Sequence, residues 1–326
     1  MIHVTPPSSD GSQAAPCSGP STTGFGCGKL ILLGEHAVVY GHLAVVAGMR
    51  AGVRAHVFPG RPRILAPAWN LEVEVGDDSL PGQAVARLLE RLSAPATFAC
   101  HLECELPARA GLGSSAAMSV ALARAVAAHI GADDDAAMAG AAAAEAVFHR
   151  NPSGIDAAAA SRGGLGCYDQ RRGWQSLPHA PAFEVCVGLS GKTHDTGAMV
   201  AGVGRLCADT PVARRLIETL GDLARAGAGA LVSGQLTTLA AIFDMAHGVL
   251  AGLGVSTPEL DDLVHLARAT GAKGAKLTGA GGGGAVVALG DDPQAILQAW
   301  RSHGYAGFIT TIAPSTLSTL GCRIEG

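Results

Sequence analysis

The stretch Gly111-Leu112-Gly113-Ser114-Ser115-Ala116-Ala117 joins two segments of different periodicity, and the rest of the chain can be read outward from it. Upstream, residues 97–106 place Phe98, Cys100, Leu102, Cys104 and Leu106 at even positions and mostly polar residues at odd ones. That alternation predicts a half-buried strand. Downstream, an Ala-rich run through Met118, Val120, Leu122 and Val126 predicts a helix starting near Ser114. Two glycines between them let the backbone pass close to an anion. The first free N–H groups of the helix, with the helix dipole behind them, point at that anion. The hydroxyls of Ser114 and Ser115 can bind phosphate oxygen or a metal such as magnesium. The segment reads as a phosphate cradle.

Two other nucleotide motifs fail on their context. Gly111, Gly113 and Ala116 also satisfy the dinucleotide fingerprint, with Asp133, Asp134 and Asp135 at about the distance of its ribose-binding acid. The fingerprint needs that acid at the end of a strand. Here the acids open a second Ala-rich helix, 133–149, as caps and first-turn charges. Lys29 suggests a P-loop lysine, but Leu30 follows it instead of Ser or Thr, and Thr23 stands where the first glycine belongs.

The chain's 326 residues suffice for two domains or one large one. A net charge of −4 with no basic run argues against nucleic acid as a partner. The 8 cysteines form no C-x-x-C pair and no zinc spacing, so they are expected as small buried hydrophobes of an intracellular protein. No apolar run of about 18 residues is free of charge, so no membrane span is expected. Residues 1–22, rich in Pro, Ser and Gly and without an apolar segment, read as a disordered leader.

In chain order, an apolar strand at 30–33 opens with Lys29 and closes with Gly34-Glu35-His36. Charges at both ends of a buried strand are costly unless paired or functional, and an ordinary salt bridge or solvated ends would also explain them. Short strands at 53–58 and 71–75 and a helix at 83–92 follow. Glu145 is the only acid on an otherwise apolar helix between Ala136 and Phe148, which points to a cationic partner or a metal. Pro152 and Gly154 stop that helix, and Asp156 opens the next Ala-rich run, where capping is its plainest role. A strand at 183–189 leads into helices at 196–206, 212–226, 237–253 and 258–270. The glycine-rich run 274–284 then enters a strand at 285–289, which favours close backbone approach to a ligand or another loop. A helix at 293–300 and a strand at 308–312 complete the unit.

The segments Gly28 to Gly41, 111–117, 151–156 and 276–284, in that order, resemble the GHMP kinase superfamily. Gly-Lys-Leu-Ile-Leu-Leu-Gly-Glu-His-Ala-Val-Val-Tyr-Gly, Asn-Pro-Ser-Gly-Ile-Asp and Lys-Leu-Thr-Gly-Ala-Gly-Gly-Gly-Gly resemble its mevalonate kinase family in particular. The resemblance implies an α+β fold: an N-terminal mixed α/β domain, 23–195, and a helix-rich, ferredoxin-like C-terminal domain, 196–326, with ATP between them. It implies ATP-dependent phosphorylation of mevalonate at its C5 hydroxyl, by a cytoplasmic homodimer. Asp156 would take the hydroxyl proton and Lys29 would stabilise the developing charge. Ser115 and Glu145 would hold magnesium, and Gly111, Leu112, Gly113, Ser114, Ser115 and Ala116 would cradle the triphosphate. Gly279, Ala280, Gly281 and Gly282 would close over the nucleotide. Glu35, His36, Ser153, Thr196 and Arg150 would lie near the substrate. Cys27, Arg150 and Gly197 depart from the family's usual Pro, Gly and Lys. Another small-alcohol kinase, or an ATP-dependent decarboxylase of the same superfamily, is the alternative activity. The Glu-His-Ala-Val-Val-Tyr-Gly box and Glu145 argue against the decarboxylase.

Overall fold

The computed structural model describes residues 21–108, 110–148, 154–193, 195–315 and 324–325. Its first half builds a sheet from β1 (Ser21–Leu33), β2 (Ala44–Pro59), β3 (Arg63–Ala66), β4 (Leu71–Glu74) and, after helix α1 (Leu80–Leu92), β5 (Phe98–Cys104). Helices α2 (Ser114–Ile130), α3 (Asp134–Phe148) and α4 (Ile155–Arg162) follow, and then β6 (Gly164–Asp169) and β7 (Gly173–Ser176). The second half comprises β8 (Phe183–Leu189), α5 (Thr196–Asp209), α6 (Pro211–Val232), α7 (Leu236–Gly252) and α8 (Pro258–Ala269). It ends with β9 (Ala272–Thr278), β10 (Ala285–Gly290), α9 (Pro293–Ser302) and β11 (Ala306–Ile312), after which β12 (Ile324–Glu325) pairs with the start of β1.

The first sheet runs β12-β1-β2-β5-β3-β4, with β6 on β2 and β7 on β6. Only the β3–β5 pair among the described strands is parallel in it. The second sheet runs β11-β8-β10-β9 and is antiparallel throughout. Numbered from its own first strand, that order is 4-1-3-2, the ferredoxin-like arrangement, with four helices between the first two strands.

The two sheets divide earlier than the sequence suggests. β8 hydrogen-bonds only within the second sheet, so the division falls between Ser176 and Phe183 and not at 195/196. Ser21 and Thr22, assigned by sequence to a leader, are the first two residues of β1 and pair with β12. Residues 1–20 lie outside the described residues.

Alternate glycines in β1 explain how the first half packs. A Cβ on Gly24 would stand 2.1 Å from Ala121 O, and one on Gly26 would stand 2.1 Å from Ala117 O. Two residues along a strand and four along a helix advance by similar lengths, about 6–7 Å, so the two glycines and the two alanines meet in register. Helix α2 therefore lies directly on the strand backbone. It is buried around most of its circumference, as its uniformly apolar, Ala-rich surface requires. This close packing carries the N-terminus of α2 to the side of Lys29. The six described cysteines are free, and all but Cys104 are buried.

Candidate active site

The site begins with a lysine inside a strand. Lys29 sits on β1 and is buried, and its backbone N–H donates to Leu112 O at 2.8 Å. That bond draws the loop 110–113 against the strand. Gly113 then caps α2 in the left-handed conformation, φ 75°, with its missing side chain 3.3 Å from Lys29 Cβ. A side chain here would be strained and would press on the lysine. Gly113 supplies no side-chain cap, so the first N–H groups of α2 are left for an external acceptor.

Helix α4 brings the second charge. Its N-cap, Gly154, is again left-handed at φ 80°, and Asp156 occupies the first turn, where the helix dipole favours a carboxylate. Asp156 Oδ1 lies 2.6 Å from Lys29 Nζ. The lysine side chain is 8% exposed and the aspartate 30%, so the pair is buried on the lysine side and open on the other. Residues separated by more than a hundred positions thus meet as a lysine and an aspartate, with the aspartate partly open to solvent.

Glu145, on α3, completes the cluster. It is 3% exposed, and Ser119 Oγ donates to its Oε1 at 3.0 Å. Burial first, and then the Asp156 carboxylate, push its carboxyl up to about 7. Hydrogen bonds from Ser119 and Ser115 and the charge of Lys29 oppose that rise. Among the described residues no set of three His, Cys, Asp or Glu side chains forms a metal cage. One buried carboxylate with a serine hydroxyl fits a cation that draws its remaining ligands from phosphate and water, as magnesium does. Burial and the neighbouring carboxylate raise this carboxyl, and a bound divalent cation would favour its charged form.

The second glycine loop approaches from the other half. Gly279, Gly281, Gly282, Gly283 and Gly284 all hold positive φ, and the missing side chain of Gly279 faces Gly111 O at 3.9 Å. Met199, on α5, packs on Gly282, where a Cβ would stand 2.7 Å from its sulfur. Thr196 opens α5 one turn earlier and is exposed. The cradle residues Gly111 to Ala116, the loop Gly279 to Gly282, Lys29, Asp156 and Glu145 are therefore linked by a chain of short contacts. Arg150 and Ser153 lie outside the described residues.

Glu35 and His36, expected near the substrate, make their contacts with the second half of the chain. Glu35 is fully buried, with Oε1 on Lys276 Nζ of β9. His36 Nε2 lies 2.9 Å from Ala280 O, which requires its proton on Nε2. Burial pushes this imidazole below its usual range, so it is neutral. Both residues face the join between the halves. The sequence reading also missed Ser119 and Thr278. Ser119 follows Ser115 by one helical turn inside an apolar helix, and that i, i+4 pair of hydroxyls was the available signal. Thr278 was quoted as part of a motif but given no role; its Oγ1 accepts from Ile31 N at 3.2 Å and donates to Ile31 O at 2.9 Å.

Residues 79–164 match the GHMP kinases N terminal domain, and residues 212–306 match GHMP kinases C terminal. The chain is 31% identical to a mevalonate kinase of Pyrococcus horikoshii over 91% of this chain and 96% of the relative. It is 35% identical to a mevalonate kinase of Aeropyrum pernix over 80% of this chain and 86% of the relative. The crystal structure of L. major mevalonate kinase in complex with R-mevalonate superposes with a TM-score of 0.79 at 28% identity, covering 90% of this chain and 96% of the other.

Proposed function

The chain belongs to the mevalonate kinase family of the GHMP kinases, and we propose that it transfers the terminal phosphoryl group of ATP to the C5 hydroxyl of (R)-mevalonate, giving 5-phosphomevalonate. The observation that carries this reading is the contact of Lys29 Nζ with Asp156 Oδ1 at 2.6 Å, beside Glu145 and the glycine-capped start of α2. Phosphoryl transfer asks little covalent chemistry of a protein. It asks for positioning and for charge neutralisation in a dry cleft.

Asp156 accepts the proton of the substrate hydroxyl through its open side, the side not covered by Lys29. An ordinary carboxylate is a weak base, with a pKa of about 4. In a loose transition state the hydroxyl proton leaves late, so weak basicity is tolerable. Lys29 fixes the carboxylate's orientation beforehand. As Asp156 becomes neutral, Lys29 retains a full positive charge at the point where negative charge builds on the transferring oxygens. The open N–H groups of α2 and the positive-φ glycines at 279–284 let backbone donors approach the triphosphate without side chains between. Glu145 and Ser115 would hold magnesium, whose charge would offset that of the β- and γ-phosphates. Arg150 and Ser153, by sequence, and Thr196, at the exposed start of α5, complete the proposed substrate side. The cytoplasmic homodimer belongs to the same proposal. No helix among the described residues is long and apolar enough to cross a membrane.

A coupled ATP-to-ADP assay across mevalonate, phosphomevalonate, homoserine and galactose tests the assignment. ADP should appear with mevalonate and not with the others, and no carbon dioxide should be released. Turnover confined to a different alcohol would replace the substrate and leave the phosphotransferase chemistry. No turnover with any of the four would end the reading.

A further inference from the structure

The halves of the protein meet along several elements, and one of these contacts joins the end of β1 to the end of β9. Thr278 Oγ1 is bonded to both the N–H and the carbonyl of Ile31. His36 donates to Ala280 O from a residue whose own φ is +58°, a conformation non-glycine residues seldom hold. Between these links lies the Glu35–Lys276 ion pair, with both side chains 0% exposed. Lys276 Nζ also donates to Leu277 O at 2.6 Å and lies 6.0 Å from the centre of the Phe243 ring. None of these contacts involves Lys29 or Asp156, and the proposed reaction uses neither member of the pair.

A buried ion pair is a poor device for stability alone. Withdrawing two charges from water is expensive, and apolar residues of similar volume often serve as well. Its costs are visible here: burial drives the Glu35 carboxyl up and the Lys276 ammonium down, each opposed by the other's charge. Such a pair does discriminate between dockings. Lys276 and Thr278 share one face of β9, so a slip of two residues, about 7 Å, would keep that face toward β1. After that slip, Thr278 could find another backbone group. The ammonium and the carboxylate would each be buried alone, which is prohibitive. Gly279 follows Lys276 by three residues, and the cradle stands against Gly279 at Gly111 O. The docking of β9 on β1 therefore fixes the height of the glycine loop above the reacting cluster.

We propose that the Glu35–Lys276 pair is a register latch between the halves and that Lys276 is a positioning residue for phosphoryl transfer, a role that rests on the kinase reading above. The latch holds the 279–284 loop over the nucleotide cleft in one register. A misplacement of about 1 Å in such a site can lower turnover about a hundredfold, so the latch acts on catalysis through geometry alone.

The test removes both charges together. The double variant Glu35→Gln, Lys276→Met leaves no lone buried charge and should melt within a few degrees of the wild type. Its KM for ATP should rise about tenfold or more, and amide exchange over 279–284 should accelerate about tenfold, with β1 and α2 unchanged. If this variant fails to fold, Glu35→Asp decides. It keeps both charges but withdraws the carboxylate by one methylene, and should show the same loss in kcat/KM at a near-normal melting temperature. A folded variant of either kind with wild-type KM, kcat and loop exchange overturns the proposal. Failure of the wild type to phosphorylate mevalonate would sink the kinase reading alone, because loop exchange still reports the latch.

Discussion

Replacing Glu145 with Gln should make the ligand-free protein more stable above neutral pH while removing its metal-dependent activity. The carboxyl is 3% exposed and is held at about 7, against 4.5 for the free group, by burial and by Asp156. A tenfold change in proton affinity corresponds to about 1.4 kcal/mol, so ionising Glu145 in the folded chain costs about 3 kcal/mol more than in the unfolded chain. The sign follows from the direction of the shift. A carboxyl whose pKa rises on folding contributes its stability in full below pH 4.5, and that contribution is lost as pH climbs to about 7. Gln at this position still accepts the Ser119 hydrogen bond and does not titrate. The two proteins should therefore melt together near pH 5 and diverge toward pH 8, the variant higher by up to about 3 kcal/mol, or several degrees. Thermal melts in metal-free buffer from pH 5 to 8 measure this directly. Adding magnesium and ATP should raise the wild-type melting temperature by linkage and raise the variant's far less. Its kcat should fall at least about a hundredfold. A stability difference that does not grow with pH would refute the placement of Glu145 as a buried carboxyl awaiting a cation.

Asp156→Asn should lower kcat by orders of magnitude and leave ATP affinity largely intact, as single-turnover and nucleotide-binding measurements would report; near-normal turnover removes its role as base. Arg150→Ala should raise KM for mevalonate and not for ATP, because a guanidinium can pair with the substrate carboxylate; an unchanged KM removes that role. Gly26→Ala should cost more than about 3 kcal/mol in a denaturant titration, since its Cβ would stand 2.1 Å from Ala117 O with backbone on both sides. Wild-type stability in that variant would mean that α2 does not lie on β1.

The parts of the site that were legible in the sequence are those whose residues conflict with their local surroundings. Glu145 was visible as a charge on an alanine helix, and it proves to be buried beside two hydroxyls. Lys29 was visible as a charge entering a buried strand, and it proves to be paired with Asp156. The glycine runs were visible as backbone that must turn where side chains cannot. Strands that carry a clear alternation or a pure apolar run, such as 98–104 and 183–189, were also read closely. What could not be read from the sequence were partners far away in the chain. Glu35 looked the same whether its partner was substrate or Lys276, 241 residues away. β8 looked like the end of the first domain because nothing in Phe183 to Leu189 names the strands it will pair with. Ser21 and Thr22, read as the end of a leader, are small polar residues whose place in β1 depends on β2 and β12, far away in the chain.

The same logic explains why a chain so rich in alanine and glycine can hold charges this close together. Alanine helices on glycine strands bring backbones nearer than larger side chains would permit, so the N-termini of α2 and α4 converge on Lys29 from different directions. The convergence leaves three ionisable groups in a small, poorly solvated volume: Lys29, Asp156 and Glu145. Burial first, and then the charge of Asp156, raise the Glu145 carboxyl to about 7, so it takes a proton near neutral pH. Glu145 regains its charge when a cation arrives, so cation affinity should climb as pH rises through about 7. The burial that makes Glu145 costly to ionise is also what ties cation binding to pH.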